Sequence, residues 1–354
     1  MSLSSPTAAT PNPLEVYELA DLRHWEQLRA GPSLGVLGHP VAHSVSPQMH
    51  NAALAHLRAA SPDLIAKLQG LEYFKFDIEP AGLAEALDLL RKKNFWGVNL
   101  TVPLKEKAAA LVAQLARGKD DIGIRSINTL KPVKDGWEGH NTDGYGLVQA
   151  LERELQVKLR GKTVVILGAG GAAHGSAVEC LRQGCAALWV GNRGQERLEH
   201  LLKELRAVNQ LLNASGKGKR APRPDEAIRG FALAEPPAKA WPADVVVINA
   251  TTLGMQREDS APLDPAVLGA QACVFDMIYR RGGKKTALAA MASARGLRAA
   301  DGVAMLVWQG AASFTIWLHA HLEILIKPQS IAQVMMKAAS EALGLKHPET
   351  PPHA

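Results

Sequence analysis

The stretch "KTVVILGAGGAAHGSAVECLRQ", residues 162–183, constrains the chain more than any other. Its β-branched apolar run reads as a buried strand, and the segment after the glycines reads as a helix. Between them Gly168, Gly170 and Ala173 match the spacing G-x-G-x-x-A. Small residues so spaced let the backbone turn sharply and approach an anion held at a helix N-terminus. A glycine triplet alone would be a plain turn; between a strand and a helix it points to the pyrophosphate of a dinucleotide.

The next strand, "ALWVGN", selects the dinucleotide. An NAD site carries an acid roughly 20 residues beyond the glycines, for the ribose 2′-hydroxyl. No acid lies from Leu188 to Gln195, and "NRGQER" supplies Arg193 and Arg197 instead. Guanidinium groups suit a 2′-phosphate. Two merely solvated arginines at a helix start would oppose its dipole. The expected coenzyme is NADP.

Strand-like runs recur at "SLGVLG", "LEYFKFDI", "GVNL", "ADVVVINA" and "ACVFDMIY", with helical patterns between them. Strands alternating with helices imply parallel sheets, so the fold class is α/β. Residues 118–146 read as loop-rich, and the chain from Gly302 onward reads as helical. At 354 residues there is material for two domains. The start has no basic segment followed by an apolar one, so no signal peptide is expected. No apolar run reads as long enough to cross a bilayer. Cys180, Cys185 and Cys273 form no C-x-x-C pair, which fits a reducing cytoplasm. The net charge of +6 owes much to "SGKGKRAPRP", residues 215–224. That stretch has no interleaved aromatic residues and reads as a solvated loop, not a nucleic-acid surface. Anionic small molecules are the better partners.

"GVNLTVPLKEK", residues 97–107, sets Asn99, Thr101, Pro103 and Lys105 alternately with Val98, Leu100, Val102 and Leu104. In an extended chain one face would present an amide, a hydroxyl and an ammonium together. Ser44 and Ser46 precede Pro47 and a helical segment. Their hydroxyls could bind an anion beside free backbone N–H groups, or Ser46 could simply cap the helix.

Taken in order, "HSVSPQMHN", "GVNLTVPLKE", "INTL", "NTDGYG", "GAGGAA", "NR", "INATTLGM" and "DGVAML..QGA..F..W" resemble the shikimate dehydrogenase family from about Gly35 to Trp317. The resemblance implies an NADP-dependent reduction of 3-dehydroshikimate to shikimate in aromatic biosynthesis. It implies that Ser44 and Ser46 hold the substrate carboxylate, and that Asn99, Thr101, Asn128, Gln309 and Tyr279 bind the ring. Lys105 and Asp143 become the catalytic pair. Gly168, Ala169, Gly170, Gly171, Ala172, Asn192, Arg193, Arg197, Thr251, Met277 and Gly302 become the coenzyme site. No metal is expected, and the assembly is a monomer or homodimer. Two alternatives stay open: a quinate/shikimate dehydrogenase using NAD, and a shikimate-binding regulator without turnover.

The implied architecture is an N-terminal extension, 1–31, then a substrate domain over 32–142 joined by 302–345. A Rossmann-like domain spans 143–301, and 346–354 form a tail. Asp143 would lie near the hinge of a cleft between the domains. The chain departs from the family pattern at Arg125 and Ser126, where small residues are usual, and at Gly194, where a hydroxyl is usual. "YRRGGKKT" is longer than the family's Y-x-P-x-x-T turn. Residues 207–242 and both termini read as surface additions.

Overall fold

The computed structural model describes residues 11–60, 62–112, 114–115, 126–214 and 224–345. They divide into two units. The first holds the described residues below 117, Ser126–Asn141 and Gly310–Ala342; the second holds Thr142–Gln309 and the described residues from Leu343. The division falls within the helix Val303–Leu322, so Gln309, expected with the substrate domain, clusters with the second unit.

The first unit is built on seven strands: β1 (Val16–Glu18), β2 (Ser33–Gly38), β3 (Glu72–Asp77), β4 (Phe95–Leu100), β5 (Gln114–Leu115), β6 (Thr129–Val133) and β7 (Gly136–His140). Their order is β1-β3-β2-β4-β6-β7-β5. β1 to β4 pair in parallel, whereas β6 runs antiparallel to both β4 and β7. β6 and β7 make a hairpin in the region read as loops. The N-terminal extension is not a surface addition either. β1 pairs with β3, and Trp25 is fully buried against Tyr17, Phe74, Phe76 and Phe95.

β3 has two contrasting faces, because alternate residues of a strand point the same way. Phe74 and Phe76 meet that aromatic cluster. Tyr73 faces the opposite side, where the ring of His50 stacks on it at 4.1 Å and 2°. His50 belongs to the helix Ser46–Ala60, whose neighbour Asn51 pins β3 where β1 does not reach. Asn51 Nδ2 donates to Tyr73 O at 3.0 Å, and the Tyr73 N–H donates to Asn51 Oδ1 at 2.9 Å. The same side of the sheet is covered by Phe314 and Trp317 from the helix Val303–Leu322. That helix is long and apolar enough to cross a membrane by length and composition, contrary to the sequence expectation. Its apolar window is 61% buried within the protein, as suits a core helix.

The second unit is a six-stranded parallel sheet: β8 (Thr163–Leu167), β9 (Ala187–Asn192), β10 (Ile228–Ala232), β11 (Val246–Asn249), β12 (Cys273–Asp276) and β13 (Arg298–Ala300). The order β10-β9-β8-β11-β12-β13 reverses direction at β8. Part of the supposed insertion is therefore structural. The helix Gln195–Ala214 runs into it, and β10 pairs along β9 with Ile228 and Phe231 buried. The basic stretch 215–223 lies outside the described residues.

Gly97 lies under Trp317. An added Cβ would stand 2.0 Å from Trp317 Nε1, which donates to Leu130 O at 2.9 Å. Gly97→Ala must displace a buried indole and break its bond. The expected loss is about 2–4 kcal/mol in urea unfolding; an unchanged midpoint would refute the packing. His50 supplies a second test. Burial lowers its pKa from 6.5 to about 3, and neither ring nitrogen has a hydrogen-bond partner among the described residues. Between those values the unfolded chain binds a proton that the native state refuses, so stability falls as pH drops below 6.5. Replacing His50 with Gln should flatten the acid limb by about 1.4 kcal/mol per pH unit. Parallel stability–pH curves for the two proteins would contradict this.

Candidate functional site

In the first unit the candidate residues sit on a loop, a turn and a hairpin that are fastened to one another. Residues 39–45 lead from β2 to the helix Ser46–Ala60. Two residues from one face of β3 hold this loop. Asp77 bonds His39 Nδ1 at 2.5 Å and accepts the Val41 N–H at 3.3 Å. Lys75 Nζ donates to Ala42 O at 3.1 Å. The hydrogen bond to Asp77 raises the His39 pKa, while burial pushes the Tyr73 phenol well above its ordinary value.

The two serines do not share one role. Ser44 Oγ accepts the Ser46 N–H at 3.3 Å and donates to Ser46 Oγ at 3.1 Å. Ser44 thus supplies the oxygen at the helix start, and Ser46 is already helical and buried. The sequence leaves capping and anion binding open for Ser46; the backbone bond to Ser44 removes its need to cap.

Asn99 and Asn128 meet in the same buried network. Tyr73 Oη donates to Asn99 Oδ1 at 2.8 Å. Asn99 Nδ2 lies 2.9 Å from Asn128 O, 3.1 Å from Thr129 Oγ1 and 3.0 Å from Ser313 Oγ. Thr129 Oγ1 donates in turn to Asn128 Oδ1 at 3.1 Å. Asn99, expected as a ring ligand, is thus tied to three elements of the first unit. Both amide protons are committed inside the protein, and it acts as a strut beneath the surface.

The alternating row expected for 99–105 also stops short. β4 ends at Leu100, the Val102–Pro103 bond is cis, and Lys105 lies in the helix Leu104–Ala109. Pro103, with no N–H to donate, ends the pairing. Val102 is 70% exposed, Thr101 and Lys105 are half-buried, and no single face carries all four residues. The segment is still fastened to "SINTL". The Leu100 N–H donates to Asn128 O at 2.9 Å, and the Ile127 N–H donates to Lys105 O at 3.2 Å. Arg125 lies outside the described residues; Ser126 is buried, with its carbonyl taken by Asn141.

In the second unit the candidates gather at the carboxyl ends of the strands, where β8 and β11 diverge in connectivity. This is the topological switch point of an open parallel sheet. Gly168 has φ +109°, its N–H donates to Gly191 O at 2.7 Å, and a Cβ there would stand 3.0 Å from Ala250 O. Only glycine fits both the conformation and the space. Ala169 follows, half-buried. Gly170 caps the helix Gly171–Arg182 without a side-chain bond, and a Cβ there would meet nothing within 4 Å. Ala172 is exposed in the first turn, whereas Ala173 is buried. The helix N-terminus is thus open to an approaching anion, and the site fits a pyrophosphate.

Beside it, Asn192 Nδ2 donates to Gly194 O at 2.9 Å and shapes the turn bearing Arg193 and Arg197, both exposed. Thr251 is fixed through its N–H and hydroxyl to Asn249 Oδ1, at 3.0 and 2.7 Å. Asn249 Nδ2 donates to Asp276 Oδ1 at 2.9 Å, and the Thr286 hydroxyl donates to Asp276 Oδ2 at 2.6 Å. Burial raises the Asp276 pKa. Met277 and Gly302 meet so closely that a Cβ on Gly302 would fall 2.1 Å from Met277 O. The long "YRRGGKKT" turn closes because Gly282 and Gly283 take φ +73° and +68°, which leaves Thr286 on its carboxylate.

Tyr279 follows β12; burial raises its pKa, with Arg281 opposing. Asp143 opens the helix Asp143–Glu154, a favourable place for a carboxylate. Gln309 lies on Val303–Leu322, where Nε2 donates to Leu306 O at 2.8 Å. Ser44, Ser46, Asn99, Thr101, Lys105 and Asn128 belong to the first unit; Asp143, Tyr279, Gln309 and the coenzyme candidates belong to the second. Sequence reasoning passes over Tyr73, Lys75, Asp77, Thr129 and Ser313. For the first three a signal exists: "YFKFD" alternates polar and aromatic residues with period two.

The model of the shikimate dehydrogenase substrate binding domain matches residues 36–130. Shikimate dehydrogenase (NADP(+)) of Symbiobacterium thermophilum is 36% identical over 291 residues, 81% of this chain and 89% of that protein. The enzyme of the same name from Moorella thermoacetica is 36% identical, across 87% of this chain and 96% of its own. Among solved structures, a shikimate dehydrogenase in complex with NADP+ gives a TM-score of 0.72 at 29% identity, covering 89% of this chain and 96% of that one. Shikimate 5-dehydrogenase from Thermus thermophilus, in complex with NADP(H) and shikimate, gives 0.67 at 31% identity, covering 88% and 100%. With the serine loop, the Asn99 network and the glycine turn in place, these likenesses are decisive: the chain belongs to the shikimate dehydrogenase family.

Proposed function

We propose that the chain is an NADP-dependent shikimate dehydrogenase, reducing 3-dehydroshikimate reversibly to shikimate for aromatic amino-acid biosynthesis. Near full-length likeness to relatives named for that reaction carries this reading. Three buried cysteines outside any disulfide agree with a cytoplasmic setting.

Each step falls to residues already located. Ser44 and Ser46 hold the substrate carboxylate with hydroxyl donors preset by the loop. Asn99, Thr101, Asn128, Gln309 and Tyr279 orient the ring and its hydroxyls. NADPH, when bound by the glycine turn with Arg193 and Arg197 at its 2′-phosphate, supplies the hydride. Lys105, as an ammonium, donates a proton to the carbonyl oxygen as negative charge develops there; in the reverse direction it takes the proton back. Asp143 is the carboxylate member of that catalytic pair.

The test is direct: purified protein with shikimate or quinate, and NADP+ or NAD+, followed by nicotinamide absorbance. Turnover with shikimate and NADP+ is expected. Tight shikimate binding without turnover would replace this reading with a regulator. Lys105→Ala should lower kcat at least about 10²-fold with NADP+ affinity retained; near-parental turnover would remove Lys105 from proton transfer. Arg193→Ala should weaken NADP(H) about 10–100-fold and spare NAD(H). Equal losses for both coenzymes would show that this arginine does not read the 2′-phosphate.

A further inference from the structure

We propose that Asp276 is a positioning residue for the coenzyme, a role that rests on the NADP reading above. Three of the coenzyme candidates lie beyond the glycine turn on separate segments: Thr251 after β11, Met277 after β12 and Gly302 after β13. The sheet is parallel, so these segments leave it at the same edge as the glycine turn. Asp276 ends β12, fully buried and in register with Asn249 at the end of β11. Asn249 Nδ2 donates to Asp276 Oδ1 at 2.9 Å, and the same oxygen accepts the Ile278 N–H at 3.1 Å. Through these two bonds one carboxylate reaches all three segments.

Asn249 connects the first segment. Its Nδ2 also donates to Leu253 O at 3.1 Å. Both partners of that nitrogen only accept, which fixes the sense of the amide and leaves Oδ1 facing Thr251. Oδ1 accepts the Thr251 N–H at 3.0 Å and its hydroxyl at 2.7 Å, while Thr251 Oγ1 accepts the Leu253 N–H at 3.1 Å. The Thr251 hydroxyl proton is used within its own turn, so Asp276 governs where this backbone runs and not a side-chain donor for the ligand. Ile278 connects the other two segments. It follows Met277, whose N–H donates to Asn249 O at 3.0 Å, and its carbonyl accepts the Gly302 N–H at 3.3 Å. Behind the carboxylate, the Thr286 hydroxyl donates to Oδ2 at 2.6 Å. The three segments are therefore set before a coenzyme arrives, which lowers the ordering cost of binding.

Asp276→Ala is expected to raise the Kd for NADP+ about tenfold in a calorimetric titration, with KM for shikimate within about twofold at saturating NADP+. Asp276→Asn keeps an oxygen for Asn249 and Ile278 and turns its NH2 to Thr286, whose hydroxyl can accept. Its Kd should stay within about threefold of the parent. A folded alanine variant with parental Kd, or an asparagine variant as weak as alanine, would overturn the proposal. Should the alanine variant fold poorly, amide hydrogen exchange on the parent decides. The Thr251 and Ile278 amides are expected to be protected before NADP+ is added and little changed by it; exchange at unprotected rates until the coenzyme binds refutes the proposal. If the parent binds NADP+ and these outcomes fail, this inference fails alone. A parent that binds no NADP+ ends the coenzyme reading and this one with it.

Discussion

The first unit depends on keeping one buried amide satisfied. Asn99 lies in the middle of a sheet, with helices over its side chain, where an unpaired donor or acceptor would cost several kcal/mol. Its oxygen is met from β3, and its nitrogen from the 126–129 segment and the helix Val303–Leu322. Those nitrogen partners come from positions 29 to 214 residues away in sequence. Such a network specifies one arrangement of its elements, because a slip in any of them strands a polar atom. The Lys105 segment and Asn128 inherit their placement from that requirement.

The second unit is governed by a constraint of topology. In a parallel sheet whose order reverses at β8, the segments leaving β8 and β11 must run apart, and a crevice opens above them. Gly168 sits where a side chain would strike Ala250, and Gly170 sits where nothing would be struck. One glycine answers to the protein and the other leaves room for a ligand. Asn249, Asp276 and Thr286 then brace the neighbouring loops from below.

Much of this is legible in the sequence. The parallel strands, the glycine turn and the two serines declare themselves through local patterns. What stays hidden does so for identifiable reasons. β6 contains Pro132 and β10 contains Gly230, residues that weaken a strand signal, yet long-range pairing overrides that preference. Alternation continuing past β4 suggests an extended chain through Lys105, while Pro103 starts a helix instead. Asn99 stands as a lone amide among aliphatic residues, and nothing local shows that it is buried. Its partners in β3 and the helix Val303–Leu322 come from distant stretches, and no local pattern announces them.

The bare N-terminus of the helix Gly171–Arg182 has a thermodynamic corollary. A helix capped by its own side chain carries its satisfaction with it, whereas one begun by Gly170 leaves that task to water or to a guest. A dinucleotide that engages the native turn and not the unfolded chain displaces the folding equilibrium by mass action. Resistance of this unit to heat and proteolysis thus rises with the coenzyme concentration, in whichever oxidation state the coenzyme is present.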